Sequence, residues 1–133
     1  MCAAGGVLYG YLCYGVHEWL NLVVGPQDWP AVVLIRGVAA ASGPGRVTRA
    51  LKIGRELNGV ESTPAAGGLW LEDHGVHEPR SAVTVTPRIG VDDAGPLGAE
   101  KRWRFIFTPE AGDEGGARPR RRRARLSRGP GRV

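Results

Sequence analysis

Hydrophobic and polar positions alternate with a period of two along "VLYGYLCY", residues 7–14, placing Tyr9 and Tyr11 on one face. That pattern predicts a strand. Tyr14-Gly15 follows as a turn, because glycine supplies the positive φ that a tight hairpin needs. "HEWLNLVV", residues 17–24, reads as the returning strand, "GPQDWP" as loop, and "AVVLIRGV", residues 31–38, as a third strand apolar enough to be central. Three consecutive strands on short connections predict an antiparallel sheet.

The period then changes. In "SGPGRVTRALKIGRELNG" Val47, Ala50, Leu51 and Gly54 recur at i, i+3, i+4 and i+7, the apolar stripe of a helix. Ser42 or Gly43 is placed to cap its start, Pro44 fits the first turn, and Gly54 is expected to end it. "GGLWLEDHG" and "SAVTVTPRIGVDD" read as further strands, and "KRWRFIF", residues 101–107, as a last one with Trp103, Phe105 and Phe107 on one side. No internal repeat is present. The expected class is α+β, a single domain with more strand than helix.

Composition refines this. With 133 residues the chain is one domain's worth and long enough for one core. Its 21 glycines and 10 prolines imply many turns. No apolar run reaches the roughly 18 residues of a membrane span, and no basic segment precedes the first apolar stretch, so no secretory signal is read. Two cysteines, Cys2 and Cys13, do not make a disulfide framework, and a reducing cytoplasm is expected.

The net charge of +5 is unevenly distributed. Residues 115–133 hold eight arginines and no acid, leaving 10 basic residues against all 13 acidic ones elsewhere, a balance of −3. Composition therefore divides the chain into a folded part, 1–110, and an arginine-rich tail, 111–133, expected to be disordered because self-repelling charge with little apolar content does not offset ordering entropy. Such a tail binds phosphates without reading sequence.

Candidate chemistry is sparse. His74 and His77 stand among Glu72, Asp73 and Glu78, and Cys13 lies four residues before His17, but neither set has the spacing that fixes a zinc site. No nucleotide-binding fingerprint occurs, and no cofactor is expected. "SGPGR" opening a helix presents unpaired first-turn N–H groups that suit an anion, with Arg46 and Arg49 at i and i+3 to reinforce it; a capped helix with two solvated arginines is the plainer reading. The tyrosines likewise admit two readings, packing across a sheet or stacking on a flat ligand.

The ordered blocks "YGYLCYGVHEWLNLVVGPQDWPAVVLIR", "SGPGRVTRALKI", "LNGV", "LWLED", "TPRIGV" and "WRF" cover most of residues 7–107 and resemble the alkyladenine family of 3-methyladenine DNA glycosylases. The resemblance implies an α+β fold with a curved antiparallel β-sheet, a protruding β-hairpin and a few short helices. It also implies a monomeric base-excision repair enzyme that binds double-stranded DNA containing alkylated bases, extrudes the damaged purine and hydrolyses its N-glycosidic bond. By the family pattern Tyr14 intercalates where the base has left, Tyr11 walls the base pocket with Tyr9 as support, and Asn21 stands at its back. Arg36 positions water or the sugar-phosphate, while Gly43, Gly45, Arg46 and Arg49 seat the DNA backbone. A bacterial, cytoplasmic and nucleoid-associated location follows.

Three departures shape the expectation. The family carries, upstream of the tyrosine hairpin, a glutamate in an "E-A-Y" context that activates the water, and then a histidine; this sequence opens "MCAAGGVLYG" and contains no such segment. Between "VLIR" and "SGPG" it keeps only a short stretch where the family has a longer one, and after "WRF" it runs into the arginine tail. A truncated copy with its base pocket partly intact, its excision impaired and its sheet edges exposed is expected. The alternative is a non-catalytic nucleic-acid-binding relic that acts through the basic tail.

Overall fold

The computed structural model describes residues 3–13, 15, 17–66, 68–75, 77–108 and 125–128. Contacts divide the chain into two compact units, residues 1–73 with 124–133, and residues 74–123. In each, every strand pairing is antiparallel and the helices are short, so the class is α+β as expected.

The first unit is built on a three-stranded sheet of β1 (Leu8–Cys13), β2 (His17–Val23) and β3 (Val32–Leu34) in the order β1-β2-β3. The hairpin forms where the alternation placed it, with Leu8 opposite Leu22, Tyr9 opposite Asn21, Tyr11 opposite Trp19 and Cys13 opposite His17. Gly15, at the turn, has φ 68°. The third strand is not central, however: β3 pairs only Val32, Val33 and Leu34 with β2, and β2 takes the middle. A central strand needs a partner on each edge. After Ile35 donates to the Leu20 carbonyl at 2.9 Å, the chain turns into a separate ribbon of β4 (Gly37–Val38) and β5 (Ala41–Ser42), and the later strands pair elsewhere.

The outer edge of β1 is covered rather than bare along its first half. Leu8 donates to Val60 at 2.8 Å and accepts from Gly59 at 2.8 Å, while Ser62 donates to Gly6 at 2.7 Å. The Gly10 N–H is taken by the Asn58 side-chain oxygen at 3.0 Å. Residues 58–62 thus act as an irregular fourth strand, protecting an edge that would otherwise invite pairing with another chain.

Opposite residues of an antiparallel ladder share a face, so the hairpin has two distinct sides. One carries Leu8, Gly10, Leu12, Glu18, Leu20 and Leu22. Here Leu8 and Leu20 pack with Leu57 and Leu69 to form the core, joined by Leu22, Ile35 and Ile53. Glu18, at the polar end of this side, pairs with Arg55 at 3.1 Å. β6 (Leu69–Glu72) brings Leu69 into the core and pairs with β9 (Arg125–Arg128), a strand inside the arginine-rich stretch where composition gave no element.

The other side carries Tyr9, Tyr11, Cys13, His17, Trp19 and Asn21, and α1 (Pro44–Ala50) lies against β2. Val47 is its wholly buried anchor, as the stripe predicted. Thr48 is the second buried position, its hydroxyl donating to the Gly45 carbonyl at 3.0 Å, whereas Ala50 is exposed. Nor does Gly54 end the helix. It stops at Leu51 in a Schellman turn, with Lys52 at φ 52° donating to Arg49 at 3.2 Å and Ile53 donating back to Thr48 at 2.8 Å.

The second unit holds β7 (Val83–Thr86) paired with β8 (Arg104–Phe107), and a short helix, α2 (Gly95–Ala99). Val83 faces Phe107 and Val85 faces Phe105 on one side of the ribbon. Of the expected stripe of Trp103, Phe105 and Phe107, the two phenylalanines share a face of β8, whereas Trp103 precedes the strand, which begins at Arg104; all three are exposed within the described residues. Arg88 and Lys101 lie over the Trp103 ring at 5.2 and 4.4 Å, contacts of the cation–π kind. Arg102 donates to the Val85 carbonyl at 2.6 Å, tying the approach to β8 onto β7. No helix among the described residues is long and apolar enough to cross a membrane.

Candidate functional site

The polar and aromatic side of the hairpin collects the residues that the sequence singled out. Tyr9 and Asn21 are cross-strand partners, and Tyr11 and Trp19 are the next pair along the ladder on that face. The Tyr11 and Trp19 rings stand 6.4 Å apart, tilted by 54°, within the range of a favourable aromatic contact. Tyr9 is half-buried, but Tyr11 remains 51% exposed.

Asn21 is only 7% exposed, in the middle of the central strand. It is no wet-edge residue. Its side-chain amide donates to the Trp19 carbonyl at 3.3 Å, which limits the rotation of the head group. A buried amide in a strand costs stability unless it is bonded; this contact satisfies one of its donors and holds it beside the aromatic pair.

Next to this face α1 begins. Gly43, with φ 103°, adopts a conformation that side-chain-bearing residues avoid. Its N–H donates to the Arg36 carbonyl at 2.7 Å, and its carbonyl accepts from Val47 at 2.9 Å. Arg36, half-buried, therefore fastens the turn through its backbone. Gly45 lies against the His17 imidazole so closely that a Cβ built on it would be 3.1 Å from the ring's Cγ. Between β2 and α1 opens a groove of about 400 Å³ lined by His17, Trp19, Gly43, Pro44, Gly45, Arg46 and Arg49.

Gly43, Gly45, Arg46 and Arg49 thus come together at one groove, and Tyr9, Tyr11 and Asn21 share the face of β1 and β2 from which Trp19 projects into it. Tyr14 lies outside the described residues. Two lining residues were missed: Trp19 was not singled out in the sequence, and His17 was weighed only as a metal ligand beside Cys13, although alternation counted back from Asn21 puts both on its face. Among the described residues no group of three or more metal-ligating side chains forms, around His74 or elsewhere. Cys13, buried, and His17 oppose one another across the ladder without such company.

Comparison with known proteins places these features in a family. The model of methylpurine-DNA glycosylase (MPG) matches residues 1–41 and 38–111. The two segments meet at the tip of the β4–β5 ribbon, within the stretch that the resemblance to the family marked as shorter than usual. A protein of Psychrobacter cryohalolentis named "Putative 3-methyladenine DNA glycosylase" is 38% identical over 130 residues, covering 78% of this chain and 58% of its own length. Proteins of the same name from Herpetosiphon aurantiacus and Chlamydia pneumoniae are 35% and 34% identical, covering 80% and 83% of this chain and 57% and 64% of theirs. The chain therefore spans about three fifths of the length of the relatives it matches. No solved structure matches it.

Proposed function

Since the chain belongs to the methylpurine-DNA glycosylase family, we propose that its hairpin and α1 form the lesion-recognition part of a DNA-repair hydrolase that removes alkylated purines. In such a reaction water adds to C1′ of the deoxyribose, the C1′–N bond breaks, and its electron pair leaves with the base. Alkylation places positive charge on that base and makes it a better leaving group. The observation that carries the reading is the pairing of Tyr9 with Asn21 and of Tyr11 with Trp19 on one sheet face, beside a groove rimmed by Arg46 and Arg49.

In this reading an extruded purine lies against Tyr11, with Tyr9 supporting it and the fixed amide of Asn21 meeting its edge. Unstacking a base takes a few kcal/mol, offset by such contacts and by the side chain that fills the gap, a role we give to Tyr14. Arg46, Arg49 and the Gly43–Gly45 backbone hold phosphates, which position the duplex without reading its sequence. Arg36 orients the attacking water or the sugar-phosphate from beside that turn. Double-stranded DNA is the partner, bound by a monomer.

The glutamate that activates the water in this family, in its "E-A-Y" context, is not among these 133 residues. Base catalysis of this kind contributes about 10²–10⁴-fold, so excision by this chain is expected to be slower by about that factor than by one containing the carboxylate. The test is single-turnover excision, with binding measured in parallel, on a duplex carrying hypoxanthine or an alkylated adenine. Preferential binding of the lesion duplex, abolished by Tyr11→Ala and by Asn21→Ala, supports the reading. Equal affinity for damaged and undamaged duplexes in all three proteins overturns it and leaves the relic that binds through its basic tail.

A further inference from the structure

We infer that the β7–β8 ribbon of the second unit is a platform for single-stranded nucleic acid, with successive unpaired bases stacked on Phe105 and Phe107 and the neighbouring phosphates met by Arg88 and Lys101. The surface uses no residue of the hairpin or of α1, and its ligand is a strand whose bases are already unpaired. It therefore goes beyond the lesion-recognition reading and does not rest on it.

Phe105 and Phe107 stand on one face of β8, opposite Val85 and Val83, and remain 69% and 47% exposed. Large apolar side chains left in water together, with polar residues around them, mark a surface that takes a partner. Residues two apart along a strand are separated by roughly 6.6–6.8 Å. That is about twice the 3.4 Å repeat of bases along one strand of a duplex. The two rings thus match an extended strand with its bases parted, and not a duplex, whose base faces are covered by their neighbours. Aromatic faces accept any base, because every base presents a π-face.

Charge selects this occupant over another protein chain. Arg88 follows β7 and Lys101 precedes β8, and since Thr86 pairs with Arg104 both lie at the same end of the ribbon. Both cations lie over the Trp103 ring, and Arg88 is further held by the Gly98 carbonyl at 2.8 Å. Arg102, anchored on the Val85 carbonyl at 2.6 Å, adds a third positive charge there. Residues 101–108 contain no carboxylate, and none of the three cations has a carboxylate partner among the described residues. A phosphate chain meets charge that is already positioned, so little side-chain freedom is lost on binding. A second copy of the ribbon would instead bring three more unpaired cations into the interface.

The experiment is fluorescence anisotropy of the full chain with labelled single strands of about ten nucleotides, oligodeoxythymidine and oligouridine, each beside an abasic strand of equal length. The abasic strand has the same charge without the bases, so the arginine-rich tail contributes equally to both. Stacking is worth roughly five- to hundredfold per base, so base-bearing strands should bind about tenfold or more tighter than abasic ones. That gain in the DNA arm, the RNA arm or both supports the inference and identifies the source of the strand. Phe105→Leu with Phe107→Leu keeps apolar cover over Val83 and Val85 but removes both rings. It should lower the gain by about fivefold or more with an unchanged melting midpoint. Lys101→Gln should make the slope of log K against log salt shallower by about 0.7. Equal affinity for base-bearing and abasic strands, a gain that survives the double leucine change, or an unchanged slope overturns the inference. So does a dimer in sedimentation that the double leucine variant dissociates, which would assign the face to a second copy. Every probe is an undamaged single strand, so the ribbon can fail while lesion binding stands, and the reverse.

Discussion

Glu18 and Asn21, three residues apart on β2, leave the strand on opposite faces: Asn21 pairs with Tyr9 on the aromatic side, and Glu18 with Leu12 on the core side. Glu18 is the carboxylate nearest the tyrosine hairpin in sequence. It is turned away from the aromatic face and engaged by Arg55 at 3.1 Å. It cannot act as base for a purine held by Tyr11 and Asn21. Glu18→Gln should therefore change lesion binding and excision less than twofold. It should lower stability by no more than about 1 kcal/mol, since Arg55 is largely solvated and such pairs are weak. Single-turnover kinetics and a urea melt check both; a collapse of excision in a well-folded Glu18→Gln protein would contradict the face assignment.

The contact between Gly45 and His17 separates helix stability from groove shape. Gly45→Ala improves helix propensity by up to about 1 kcal/mol, yet its new methyl would meet the imidazole at 3.1 Å and displace His17, which lines the groove. The expected outcome is a melting midpoint that is unchanged or higher, with duplex affinity reduced several-fold. His17→Ala, combined with Gly45→Ala, removes the clash and should restore affinity relative to Gly45→Ala alone. Fluorescence anisotropy on one labelled duplex measures the series.

Lys52 occupies the left-handed position of the Schellman turn that ends α1, where glycine is the usual residue. An L-residue there costs roughly 1 kcal/mol or a little more. Lys52→Gly should accordingly raise stability by about 1 kcal/mol, read as a shift in urea midpoint with unchanged slope, and leave DNA binding nearly intact because Lys52 does not line the groove. Lys52→Val, β-branched, should move the midpoint the other way.

Local periodicity carried the hairpin, since strict alternation fixes which side chains share a face before any partner is known. It also carried Phe105 and Phe107 as one face of β8, though not Trp103, which precedes the strand. The same rule, taken one step further from Asn21, would have found Trp19 and His17. It failed at the helix end, because Leu51 and Gly54 extended an i, i+3, i+4, i+7 pattern beyond a stop set by the backbone of Lys52, a residue with no glycine signature. It also failed at β3, whose apolar run reads as central. Whether a strand is central depends on where later strands pair, and that is long-range information. The cover on β1 was invisible for the same reason: Asn58 and residues 59–62 have no strand pattern, and serve as a strand only because Leu8 and Gly10 lie opposite them. The groove was invisible for the same reason, since it lies between β2 and a helix placed by its packing on that strand.

The arginine-rich stretch has two separable effects, because Arg125–Arg128 pair with β6 whereas Arg118 and Arg120–Arg123 add charge nearby in sequence. Replacing Arg118 and Arg120–Arg123 with Gln removes five charges and leaves residues 125–128 in place. Each phosphate that is no longer neutralised makes the slope of log K against log salt shallower by about 0.9. The expected result is weaker binding at low salt and a shallower slope, with the ratio of damaged to undamaged affinity preserved. Deleting 125–133 instead removes the strand partner of Leu69–Glu72, so it should lower the melting midpoint as well as the affinity. If the Gln variant lost all duplex binding while Tyr11→Ala changed nothing, the tail alone would be the binder; retained lesion preference places recognition on the Tyr9–Asn21 face.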